Sequence, residues 1–567
     1  MEPQQAGPIG KDAHHHWGIS TVNRILLASS ALLALSLPAL ADPIKLSSAV
    51  VKPADDVLAP GLAQVPVAEG AYKLENPTKE LGYYAYGNDG PLAPKKGAVQ
   101  SEGNNVEATK TEPDKNTYLV LDGAKGPAKG VKYGTHFLFQ GHENGPKDAA
   151  GVTHGALTRI NLDADKKHRV TLMASTDVAG KPLPLIDGSA WNPFAKVLLL
   201  TSEEGTDGGV WIATPDFPSK VTDISAFTGR AAYEGVEVAS DGSLWLVEDE
   251  GGKGGPKTKN AKQPNSFVYR FVPADKTDLT KGGKLQALQL LDAYSNPITF
   301  HEGKNDQDIL APEQKMIHAY GNELPSRWVT LKETAAGATE AFDANALAKA
   351  ANATPFKRPE NGQFRPGTDF EEFYFTATGD TNAKTEAGAE FGGFGGVFRV
   401  TQLSPSSDKG HVGIVLRGDV TKTGFDNLSF LNDTQLLVVE DAGDKLHGQR
   451  NALDSGYIVD VTADYAKSST PDPVRFLSQG RDDMATIDAA LGAKASENGF
   501  QNDGDNEITG IHVSNGDTSV EGLIGTAVPT PFENGWRVFY TRQHGRNITF
   551  EIVQADMKAD KKAKPAK

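Results

Sequence analysis

The sequence predicts an all-β fold, a six-bladed β-propeller with long insertions and a few short helices. Three observations lead there. A pattern of strand, turn, strand, loop, strand recurs six times along 567 residues. The recurrences are irregular, roughly 50 to 130 residues apart, which suits one closed array with insertions better than a string of domains. The composition, 38% hydrophobic with 60 Gly and 33 Pro, is that of a turn-rich globular chain.

The clearest copy opens at Glu234, runs through Val236 to Ala239, turns at Ser240-Asp241-Gly242-Ser243 and returns from Leu244 to Val247 into Glu248. Glu234 and Glu248 lie symmetrically about Asp241. Antiparallel pairing would therefore bring both carboxylates to the end opposite the turn. The preceding copy has Asp187, a turn at Asn192-Pro193-Phe194-Ala195, and Lys196 to Leu200 running into Ser202-Glu203-Glu204. A third joins Asp426-Asn427 to Glu440-Asp441 across Asn432-Asp433, and a looser one has Glu360 upstream of a strand, Phe373 to Thr376, that ends near Asp380. Two more strands end at His142-Glu143-Asn144 and at Gln543-His544-Gly545.

The rest of the chain bounds the protein's class. A formal charge of −16 gives nucleic acid no concentrated positive surface to bind. Arg24 precedes the apolar run Ile25 to Leu37, closed by Pro38-Ala39-Leu40-Ala41, as in a secretory signal cleaved after Ala41. Residues 1–41 are thus expected to be a signal peptide with an extended leader. The mature protein would be periplasmic or secreted, monomeric and not inserted in a membrane. With no cysteine in the chain, disulfides and thiolate-held metals are excluded. Residues 42–115 read as a covering segment with Leu81 to Tyr86 as its anchor, 116–556 as the propeller, and 557–567 as a basic tail. Gly251 to Pro264 reads as a Lys- and Gly-rich surface loop, and Asn502 to Glu507 resembles a calcium loop in composition without its spacing.

Equivalent strands of a propeller run in one sense about its axis, so Asp187, Glu203, Glu234, Glu248, Glu360, Asp426 and Glu440 are expected to converge. An isolated acid at a strand end is ordinarily just solvated; the repeated pairs are what point to a cation. Oxygen ligands without thiolate favour Ca²⁺, Mg²⁺ or Mn²⁺. Asp241 and Asp433 fit turns. Arg358 suits a phosphate oxygen or an ion pair with Glu360. His544 could serve a leaving group as an acid or be structural. No Gly-x-Ser-x-Gly elbow, Walker loop or HExxH is present.

Seven short motifs in order resemble the PhoX-type alkaline phosphatases: Leu138-Phe139-Gln140-Gly141-His142-Glu143, Leu200-Thr201-Ser202-Glu203-Glu204, Gly229-Arg230-Ala231-Ala232-Tyr233-Glu234, Lys357-Arg358-Pro359-Glu360, Phe425-Asp426-Asn427-Leu428, Glu507-Ile508-Thr509-Gly510 and Gln543-His544-Gly545. The resemblance spans about Tyr118 to Val553. It implies a six-bladed propeller whose axial pocket holds several Ca²⁺ together with Fe³⁺, and a phosphomonoesterase using metal-held oxygen rather than a side-chain nucleophile. It implies Glu203, Glu234, Glu248 or Asp249, Glu360 and Glu440 as metal ligands, completed by Glu143, Asp426, Asn427 and Glu507, with Arg358 on phosphate. Ser202 stands where the family has a cysteine ligating iron, and a hydroxyl is a poor substitute for thiolate. No twin-arginine pair precedes Ile25, which suggests export by the general route. The expected function is hydrolysis of a small phosphate ester. The competing expectations are a non-catalytic calcium-stabilised binding propeller and a calcium-dependent lactonase or esterase of the same architecture.

Overall fold

Alternation of apolar side chains sets the layering. Phe137 and Phe139 enter a buried cluster with Leu198 and Leu200 of the next sheet, while Leu138 between them points the other way, against Phe539. Tyr374 packs with Phe430 in one cluster, and its neighbours Phe373 and Phe375 pack with Trp245 and Phe364 in another. A strand apolar on both faces must be covered on both faces, and here each sheet is sandwiched between two others.

The computed structural model describes residues 46, 55–88, 92–94, 105–107, 109–480, 507–544 and 546–555. The expected leader to Ala41, the acidic run at 502–506, Gly545 and the basic tail lie outside the described residues.

The first sheet contains Pro113–Val120, His136–His142, Leu157–Asn161 and Val170–Ala174 in that order. The second contains Ser189–Asn192, Val197–Ser202, Gly209–Ala213 and Val221–Asp223. A nine-stranded sheet follows, from Tyr233–Val238 through Leu244–Glu248, Val268–Pro273, Gly282–Leu290 and the long Leu324–Ala335. It continues through Lys409–Arg417, Gly396–Gln402 and Glu372–Ala377 to Pro359–Phe364. Phe425–Phe430, Gln435–Glu440, Ser455–Asp460 and Val474–Ser478 form the next sheet, and Glu507–Ser514, Arg537–Gln543 and Ile548–Gln554 the last. The sheets are antiparallel, and their leading strands touch one another in cyclic order, with Glu507–Ser514 returning to Pro113–Val120. The arrangement is propeller-like. Among the described residues helices are few and short, the longest being Gly443–Arg450.

The segment expected merely to cover the array contributes strands to it. Leu62–Glu69 pairs with Ile548–Gln554 and completes the last sheet, and Val57–Leu58 pairs with Val474–Ser478. Pro66 hides that strand in the sequence, because proline cannot donate to a ladder and is tolerated only at an edge or irregularity. Leu62–Glu69 is an edge strand, and its register shifts between Pro66 and Ala68. The sheets also begin at Pro113, three residues before the expected boundary. Leu81, Tyr84, Ala85 and Tyr86 are buried against Leu138 and Phe539.

Candidate metal centre

One irregularity recurs on the leading strands. Between Tyr233 and Val236, where Tyr233 pairs with Glu248 and Val236 with Leu246, the leading strand carries one extra residue. The same bulge falls between Pro113 and Asn116, Pro359 and Gly362, Phe425 and Leu428, and Thr509 and His512. The first residue inside four of these five bulges is an acid: Asp114, Glu234, Glu360 and Asp426. A bulge bends its strand and re-aims the side chain it carries.

These acids meet Glu143, Glu203 and Asp249, each just beyond the end of a second strand, with Asp187 just before a leading strand and Glu507 at the start of one. Asp114, Glu143 and Glu507 each present an oxygen within 4.8 Å of one another; so do Glu143, Asp187 and Glu203; Glu203, Glu234 and Asp249; and Glu234, Glu360 and Asp426. Shared members link the four triplets into a continuous carboxylate cluster. Asn361 Nδ2 donates to Glu234 Oε1 at 2.8 Å and to Asp426 Oδ1 at 3.4 Å, and is itself oriented by Lys115 Nζ, 2.7 Å from its Oδ1. Gln543 Nε2 donates to Asp114 at 3.0 Å and Glu143 at 2.9 Å.

Two unit charges about 4 Å apart repel by about 4 kcal/mol at an effective dielectric near 20, so an uncompensated cluster of this size cannot stay fully ionised. Burial, and then neighbouring carboxylates, push Asp114, Asp187, Glu203, Glu234 and Glu507 far above the ordinary range. Glu360 is raised by burial and by Asp249, with Arg358 opposing. Asp426 is pushed up to about 7, chiefly by burial. Asp187 Oδ1, Glu360 Oε1, Asp426 Oδ2 and Asn427 Oδ1 are buried without a hydrogen-bond partner among the described residues. Orphaned oxygens in an acceptor-only cluster are the donor set of a hard divalent cation, and the residues fit Ca²⁺. They offer no thiolate for iron.

Arg358 and His544 stand at the edge of this cluster. Arg358 Nε lies 2.8 and 2.9 Å from the two Asp249 oxygens, its Nη2 2.6 Å from Oδ2 and 3.8 Å from Glu360 Oε1. Its Nη1 has no partner among the described residues, and the side chain, one-fifth exposed, lines a cleft of about 460 Å³ together with Asp441. His544 bridges Glu112, 2.8 Å from Nδ1, and Glu507, 3.2 Å from Nε2. Burial alone would lower its pKa; the carboxylates of Glu112 and Asp441 turn the balance upward.

The structure brings Glu143, Glu203, Glu234, Asp249, Glu360, Asp426 and Glu507 together. It does not bring in Glu248 or Glu440. Glu248 accepts from Phe267 N, Tyr269 Oη and Asn345 Nδ2 at 2.8 to 2.9 Å. Glu440 accepts two bonds from Arg450 and one each from the Thr423 and Ser455 amides. The physical reason is the bulge: it displaces the pairing by one residue, so Glu248 faces Tyr233 and Glu440 faces Phe425. The next residues, Asp249 and Asp441, take the forward positions. Ser202 ends its strand beside Glu203, buried, with its Oγ unpartnered among the described residues. Asn427 Nδ2 supports Asp426 at 2.8 Å.

Asp114, Glu112, Asn361 and Lys115 escaped the sequence reading. Pro113-Asp114 repeats the proline-acid pair of Pro359-Glu360, a signal that would have found it.

A propeller-like array of antiparallel sheets with a buried, thiolate-free carboxylate cluster defines the class. The family model described as "Alkaline phosphatase PhoX" matches residues 257–520 of this chain. A solved PhoX from Pseudomonas fluorescens, in complex with vanadate, a transition state analogue, superposes with a TM-score of 0.52 at 12% identity. The match covers 91% of this chain and 98% of that one, and at this identity it establishes the fold. A GH43_1 enzyme from Xanthomonas citri, 12% identical over 62% of this chain and 88% of its own, reaches only 0.28 and carries no weight. No curated protein matches the sequence.

Proposed function

We propose that this protein is an exported, metal-dependent phosphoric ester hydrolase acting on phosphomonoesters. The six-bladed reading belongs to the same proposal: the nine-stranded sheet divides where Leu324–Ala335 meets Lys409–Arg417, giving six leading strands. One observation carries the function. A buried carboxylate cluster with orphaned oxygens adjoins an arginine that lines an open cleft.

Asp114, Glu143, Asp187, Glu203, Glu234, Asp249, Glu360, Asp426 and Glu507 would hold Ca²⁺. When bound, the cation supplies Lewis acidity at phosphoryl oxygen and lets the cluster stay ionised. Arg358, fixed by Asp249 at two of its nitrogens, presents the remaining one to an anion and stabilises charge developing on phosphoryl oxygens. His544, held between two carboxylates, is set to keep a proton and deliver it to a departing alkoxide. The Pseudomonas fluorescens PhoX bound vanadate, which supports the same ligand chemistry here.

The test is hydrolysis of p-nitrophenyl phosphate by purified protein, before and after chelation and with calcium restored. The proposal expects turnover that chelator abolishes and calcium returns. Turnover indifferent to chelator would overturn it. Calcium binding without turnover of any phosphate ester would instead support a binding propeller, which the serine at position 202 favours.

A further inference from the structure

The cleft beside Arg358 carries more positive charge than one phosphate needs. Lys259, Lys262 and Lys445 line it with Arg358, against Asp380 and Asp441. Asp380 is already neutralised, since Lys357 Nζ lies 2.9 and 3.0 Å from its oxygens in an almost wholly buried pair. The three lysines have no ion-pair partner among the described residues.

The loop bearing two of them is rigidly held. Lys262 N donates to Asp380 Oδ1 at 2.9 Å, and the Asn260 and Ala261 amides donate to Glu386 at 2.9 and 3.1 Å. Gln263 N donates to Lys253 O at 3.0 Å, and a Cβ at Gly252 would sit 1.7 Å from Gln263 O, so only glycine permits this closure. Lys445 comes from the helix Gly443–Arg450 on the opposite wall, which Arg450 ties to Glu440 at 3.0 Å. Cations carried on held backbone around one cleft concentrate anions there.

From this juxtaposition we infer that the cleft holds a second phosphate of the substrate, so that the preferred esters are organic bisphosphates or nucleoside diphosphates rather than simple monoesters. The inference rests on the hydrolase reading above. The phosphate at Arg358 is the one removed: its bond to the leaving oxygen breaks, water supplies a hydroxyl to phosphorus and a proton to that oxygen, and the other phosphate stays on the product. Burial and the nearby Arg358 depress the Lys262 ammonium, strain that an incoming anion relieves.

The test compares kcat/KM of the calcium-loaded protein for fructose 1,6-bisphosphate against fructose 6-phosphate, and for ADP against AMP. Each extra charge-assisted contact supports about a tenfold preference. A ratio of about ten or more in either pair is expected, collapsing to about one in Lys262→Met and in the double variant Lys259→Ala, Lys445→Ala. The arm that shows it identifies the spacing of the two phosphates. Ratios near one in both pairs of the unaltered protein would overturn the second-phosphate site while leaving the hydrolase reading intact. Absence of any ester hydrolysis would overturn both.

Discussion

At the residue scale, neighbouring acids have opposite fates. Glu248 is enclosed by three donors and pushed up to about 8 by burial, whereas Asp249 joins the cluster and grips Arg358. We therefore expect Asp249→Asn to abolish the calcium-induced rise in Tm, and Glu248→Gln to lower overall stability while keeping that rise; differential scanning calorimetry with and without calcium separates them. Glu234→Gln removes one charge from a repelling set. It should raise the Tm of chelator-stripped protein and lose the response to calcium, an inversion that ordinary core damage does not produce. Arg358→Lys keeps the charge but loses the planar fork, so kcat/KM for a monoester is expected to fall about a hundredfold at unchanged Tm.

At the element scale, the device is the bulge on the leading strand. It turns Asp114, Glu234, Glu360 and Asp426 inward and shifts the partner strand's forward residue by one. This explains which part of the site was legible. Acidic strand ends show in the sequence, and so does their convergence, because strand periodicity and turn residues fix which end is open. The register does not show, since an extra residue in a hairpin leaves composition and alternation nearly unchanged while moving every downstream pairing. Symmetry about Asp241 and Asp433 thus selects Glu248 and Glu440, whereas the ladder carries Asp249 into the cluster and leaves Asp441 lining the cleft beside Arg358. Deleting Gly235, within the bulge, should leave a continuous ladder with Tyr233 still opposite Glu248, re-aim Glu234 and cost the protein its calcium response. A Gly235 deletion that binds calcium normally would show that the bulge does not place the ligands.

At the scale of the whole molecule, the propeller-like arrangement of β-sheets was legible from the recurring strand–turn–strand pattern, but its closure was not. Leu62–Glu69, hidden by Pro66, supplies the outer strand beside Ile548–Gln554, linking the two ends of the described chain. The cluster also couples global stability to pH. Carboxyls raised in the folded, metal-free protein contribute stability that is fully present below about pH 4 and lost as pH rises through their folded values, about 7 for Asp426. Chelator-stripped protein should accordingly lose Tm between pH 5 and 8, with the calcium-induced gain largest at pH 8. A stripped protein whose Tm is flat or rises over that interval would mean the acids are not crowded.

Calcium titration of chelator-stripped protein by isothermal calorimetry at pH 8 tests the shared-cation site most directly. The bulge-presented cluster predicts saturable uptake of at least one calcium per chain, absent in Glu234→Gln and retained in Glu248→Gln. No uptake by the unaltered protein, or equal uptake by both variants, would contradict it.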